Sequence, residues 1–113
     1  MPWSMDARIP VTLRADVVSA PDTALLLEGD VPAPRGAVVA RFTPGLGRHG
    51  ADCACCAARG AVADALGRLF LARARGEVGF FRSLAVVCGE AGRAEVLAAL
   101  AADPVVSARF RLA

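Results

Sequence analysis

Cys53-Ala54-Cys55-Cys56 places three thiols in four positions, and Arg59-Gly60 follows after two alanines. Thiolates are soft ligands that suit Zn²⁺, Cu(I) and similar ions. One residue separates Cys53 from Cys55, so in an extended stretch their side chains point to the same side. Cys56 joins them only if the chain bends there, as it would on entering a helix at Ala57. A helix N-terminus also lowers thiol pKa and favours the metal-binding form. The fourth position is open to His49, Asp52, water or a partner's ligand. Cys55 and Cys56 are adjacent, which disfavours a strain-free disulfide between them. A redox role fits less well, because the cluster lacks the two-residue spacing of thioredoxin-like sites and no Lys is present to activate a thiol. The competing account is structural: three small residues buried in a connection.

The remaining candidates are sparser. His49, the only histidine, sits in a glycine-rich stretch and reads either as an exposed loop residue or as a ligand. Cys88 lies in an apolar run and reads as a small core residue. Trp3, near the terminus, is a partner contact or a loose cover for a sheet. Arg59 and Gly60 suit a helix entry, the first reaching a carboxylate or carbonyl and the second allowing close backbone approach.

The elements that must position these residues alternate in type. Residues 8–14, RIPVTLR, read as a strand with β-branched residues. Ser19, Pro21 and Asp22 form a helix-start signature, with Ala24 to Leu27 as an apolar turn that Gly29 ends. Residues 32–36 are a loop and 36–42, GAVVARF, a second strand. Residues 43–52 are an exposed glycine-rich connection. From Ala57 to about Arg75, Val62, Leu66, Leu69 and Phe70 recur at helical spacing, and Asp64 and Arg68 can pair on the surface. After a turn at 76–79, Leu84 to Cys88 read as a central, fully buried strand. A second amphipathic helix over 90–103 turns Val96, Leu97 and Leu100 inward and stops at Asp103-Pro104. ARFRLA, 108–113, starts a further strand. This order is that of a parallel α/β sheet in one domain, residues 1–113.

Composition bounds the function. The chain has 113 residues, 56% of them hydrophobic and 21% charged, which argues for a packed domain and against disorder. Its net charge of +2, with scattered arginines, gives no reason to expect a nucleic-acid partner. All 13 basic residues are arginine, so mechanisms that need a lysine ammonium are excluded. No apolar run approaches the roughly 18 residues of a membrane span, and MPWSMDARIPVTL lacks the pattern of a signal peptide. A cytoplasmic location without a membrane partner is the expectation, and clustered cysteines there point to metal or thiol chemistry.

Three stretches carry a family likeness. Ile9 to Leu13, IPVTL, resembles the opening strand of the CobW-type GTPases, a group associated with metal insertion, metal-chaperone work and cobalamin synthesis. Cys53-Ala54-Cys55-Cys56-Ala57-Ala58-Arg59-Gly60 fits that family's C-x-C-C-x-x-R-G signature, and residues 102–112, ADPVVSARFRL, resemble the segment after its Glu-x-x-Gly motif. The resemblance implies a truncated P-loop-NTPase-like, three-layer α/β domain with a small, mainly parallel sheet of about three to four strands. The family's phosphate loop, G-x-x-x-x-G-K-[ST], is missing. Laid without gaps onto IPVTL, its glycines fall on Asp16 and Pro21 and its Lys on Asp22, and only the hydroxyl at Thr23 remains. Pro21 removes a backbone donor and Asp22 reverses a charge that must face phosphate. The guanine-reading Asn-Lys-x-Asp motif cannot exist without Lys, and Glu90 reads as a helix-start residue or a displaced relic.

The sequence therefore implies a non-catalytic, zinc-type metal-binding accessory protein of metal homeostasis, with Cys53, Cys55 and Cys56 as ligands and no nucleotide. The alternatives are an interaction module that pairs with a second copy or with an intact CobW-type partner, and a residual nucleotide-binding protein.

Overall fold

The computed structural model describes residues 6–45 and 60–113. Its strands are β1 (Ile9–Arg14), β2 (Thr23–Glu28), β3 (Val39–Phe42), β4 (Ser83–Val87) and β5 (Phe110–Leu112). Its helices are α1 (Gly60–Ala74), α2 (Glu90–Ala102) and α3 (Pro104–Arg109). The strands form one parallel sheet in the order β3-β2-β4-β1-β5. The α/β class and the small parallel sheet agree with the expectation, and five strands replace the three to four anticipated.

Alternation along the strands sorts two apolar clusters. Ile9, Val11, Ala24, Leu26, Leu84, Val86 and Phe110 pack with Val62, Ala65, Leu66 and Leu69 of α1, Val96 of α2 and Val106 of α3. Leu25, Leu27, Ala85 and Val87 point to the opposite face. There Val17, Val31, Ala33 and Ala37 cover them, all from chain segments that carry no helix. Among the described residues no helix is long and apolar enough to cross a membrane.

One element differs from its sequence reading. Ser19 to Leu27 do not start a helix: residues 15–22 run as an irregular connection into β2. Ala24 to Leu27 are buried on both faces of the sheet, and such a strand shows an unbroken apolar run instead of alternation. Local geometry also opposes a helix. Asp22 holds a left-handed φ of 58°, which aspartate tolerates better than most residues. Its carbonyl accepts from the Arg82 and Ser83 N–H groups at 2.7 and 3.2 Å, and the Thr23 and Ser83 hydroxyls meet at 3.0 Å. These contacts fix β2 against β4 at their starts, and sheet pairing outweighs the helix preference of leucine.

The other elements stand close to where the sequence put them. β4 is the middle strand, with Leu84 to Val87 buried. Asp103-Pro104 ends α2, but a short α3 intervenes before β5.

Candidate functional site

A parallel sheet gathers the C-terminal ends of its strands along one edge, and the helices that follow begin there. At this edge β3 leads into residues 46–59, α1 starts at Gly60 and α2 at Glu90. The proposed ligands Cys53, Cys55 and Cys56, with His49, Asp52 and Arg59, lie outside the described residues, as does Trp3. Among the described residues no group of three or more His, Cys, Asp or Glu is placed to hold a metal ion.

The two ends of 46–59 are described, and one side chain joins them. Glu95, on α2, accepts from the Gly45 N–H through Oε1 at 2.9 Å and from the Val62 N–H through Oε2 at 2.9 Å. Val62 is the third residue of α1, so its N–H has no partner within the helix and needs one from elsewhere. Gly60 enters α1 at φ 74°, and a Cβ there would stand 3.4 Å from Glu95 Oε2. A side chain at this position would touch the carboxylate and would be strained by its backbone angle.

A second carboxylate serves α2. Gly89, its N-cap, has no side chain to offer, and Glu28 at the end of β2 accepts the Gly89 N–H at 3.0 Å. A Cβ on Gly92 would lie 2.9 Å from Cys88 Cβ and 3.1 Å from Phe42 Cζ, and would collide with Glu28 Oε1. Gly92 thus lets the first turn of α2 sit directly on the Glu28 carboxylate. Glu90 begins α2, in keeping with its reading as a helix-start acid.

Cys88 borders this contact, partly buried against the main core. Burial, and then the negative Glu28 beside it, push its thiol pKa up, while Arg93 acts in the other direction. Its thiolate is thereby disfavoured. A crevice of about 270 Å³ opens next to it, lined by Leu13, Arg14, Ala15, Gly89, Glu90 and Arg93. The chain leaves β1 toward β2 and leaves β4 toward β5, in opposite directions along the sheet, so this crevice is the topological switch point.

The four phosphate-loop positions are not brought together. Asp16 follows β1 at the C-terminal edge, whereas Pro21 and Asp22 form the turn that leads into β2 and Thr23 is the first residue of that strand, at the opposite edge. The step from β1 runs into a strand, and no helix N-terminus faces that position.

Comparison of the chain with protein-family models, with curated proteins and with solved structures gave no match.

Sequence reasoning missed Glu28 and Glu95 altogether. For α2 a signal existed, because a helix whose N-cap is glycine must find its acceptor in another element. For Glu95 there was none, since its two partners are 50 and 33 residues away.

Proposed function

We propose that this chain is a non-catalytic, CobW-like metal-handling protein that holds a zinc-type ion on Cys53, Cys55 and Cys56. The observation that carries this reading is the C-x-C-C spacing next to the start of a 15-residue helix. The donor set suits a soft ion, three thiolates leaving one position for water or a partner's ligand. The N-terminal end of α1 favours the thiolate form. When bound, the ion would supply Lewis acidity or serve as cargo. The chain's own part is to hold three thiolates near the C-terminal edge of the sheet.

The geometry after β1 supports a role without nucleotide. Phosphate loops work by aiming backbone N–H groups from a glycine-rich turn and a helix start. Here eight residues, 15–22, pass from β1 to β2, and Pro21 and Asp22 are the turn that leads into β2.

The test is metal content after anaerobic zinc addition. About one zinc per chain is expected, lost in Cys53→Ser/Cys55→Ser/Cys56→Ser. A wild-type chain that stays metal-free, or a triple variant that binds equally well, overturns the reading. GTP or ATP at millimolar concentration with Mg²⁺ is expected to leave the melting temperature unchanged; a rise would favour the nucleotide-binding alternative.

A further inference from the structure

The connections that enter β2, β3 and β4 meet at the N-terminal edge of the sheet and line a crevice of about 240 Å³. This edge is opposite the one at which β3 ends and α1 and α2 begin. We propose that the crevice binds a free apolar α-amino acid, with Asp22 taking its ammonium group, Arg35 its carboxylate and Phe80 its side chain. The proposal is independent of the metal-binding reading.

Each connection contributes one of the three groups. Asp22 precedes β2, Arg35 precedes β3 and Phe80 precedes β4, and these strands are neighbours in the sheet. Among the described residues neither the Asp22 carboxylate nor the Arg35 guanidinium has an ion-pair or hydrogen-bond partner, although both line the crevice. Their backbones are held in place. The Asp22 carbonyl accepts from the Arg82 and Ser83 N–H groups, and Arg35 follows Pro34, whose ring fixes φ. Two opposite charges that share a crevice without touching suit a molecule that carries both complementary charges. The guanidinium fork also matches a carboxylate in two parallel bonds. Phe80 is 60% exposed, yet the Arg73 guanidinium stacks 3.7 Å from its ring centroid and fixes the ring. Together with Val18 it supplies exposed apolar surface that a ligand side chain would cover. Volume sets the size: drug-sized ligands fill roughly 300–1,000 Å³, so this smaller space suits a single amino acid.

The experiment follows backbone amide shifts by two-dimensional NMR while the full chain is titrated with three compounds. These are L-phenylalanine, N-acetyl-L-phenylalanine, which lacks the ammonium, and L-phenylalaninamide, which lacks the carboxylate. L-Phenylalanine is expected to shift the Thr23, Gly36 and Gly79 amides, and each derivative should bind about ten-fold more weakly. Asp22→Asn and Arg35→Gln should each weaken L-phenylalanine binding about ten-fold as well. Asparagine tolerates the left-handed φ of 58° at position 22, and Arg35 is exposed, so both variants keep the fold.

Crossing variants with derivatives assigns each charge. Asp22→Asn should cause no further loss for N-acetyl-L-phenylalanine, because the group that Asp22 recognises is already missing. Arg35→Gln should likewise cause no further loss for L-phenylalaninamide. Absence of shifts with millimolar L-phenylalanine overturns the proposal. So does a derivative that binds as well as the parent compound, or a variant that binds L-phenylalanine as well as wild type.

Discussion

The start of α3 and the starts of α1 and α2 satisfy the same physical need by different means. Asp103 caps α3 from within its own sequence, accepting from the Val105 and Val106 N–H groups at 3.0 and 3.1 Å, and Pro104 occupies the first helical position. α1 and α2 instead take their acceptors from distant elements, Glu95 for Val62 and Glu28 for Gly89. A local cap forms whenever the helix forms. An imported cap exists only when the whole sheet edge has assembled, so it reports on the tertiary arrangement around the cysteine segment. The locally capped helix leads to an edge strand, and the two helices with imported caps begin at the C-terminal edge of the sheet.

The largest effect is expected from Gly92→Ala. In an ordinary helix interior this change stabilises by up to about 1 kcal/mol. Here the new methyl group would collide with Glu28 Oε1 and crowd Cys88, so either the carboxylate or the helix must move. The sign should reverse, with a loss of about 3 kcal/mol in urea denaturation. A neutral or stabilising outcome would mean that Glu28 swings away freely and that the imported cap of α2 carries little.

Next come Glu28→Ala and Glu95→Ala, each expected to cost about 2 kcal/mol, since each removes the charged acceptor of an N–H group at a helix start. Equilibrium unfolding checks both. Losses below those of Asp103→Ala would erase the difference between imported and local caps.

What could be read from the sequence follows the same division. The Asp103-Pro104 boundary, the buried β4 and the apolar stripe of α1 all rest on local pattern, and the structure places them accordingly. The stretch from Ser19 to Leu27 was misread because its pattern has two meanings. A serine, a proline and an aspartate before four apolar residues resemble a helix start, and the same four residues buried on both faces make a parallel strand. Nothing local reveals that β4 lies beside them. The chemistry was partly accessible: three thiols announce themselves by type and spacing, but the carboxylate joining their borders comes from α2 and has no motif.

Asp103→Ala should cost about 1 kcal/mol, the usual value of a lost N-cap, with the unfolding slope unchanged. A double-mutant cycle of Asp64→Ala with Arg68→Ala should assign only a few tenths of a kcal/mol to their i,i+4 contact at 3.3 Å, because the guanidinium is exposed.

The smallest structural change is expected where only charge is altered. Glu28→Gln keeps a carbonyl oxygen able to accept the Gly89 N–H, so the cap survives in weakened form. The negative charge beside Cys88 disappears, and that charge is one of the two causes that push the thiol pKa up. In the Cys53→Ser/Cys55→Ser/Cys56→Ser background Cys88 is the only thiol left, so iodoacetamide reports on it alone. Only the thiolate reacts, and the alkylation rate should therefore rise with pH to a midpoint above the ordinary cysteine range. Glu28→Gln should move that midpoint to lower pH and speed alkylation at neutral pH, whereas Asp103→Gln should leave it in place. An unmoved midpoint in Glu28→Gln would show that burial alone holds the thiol protonated. The Glu28 carboxylate would then act on the helix start without reaching the side chain next to it.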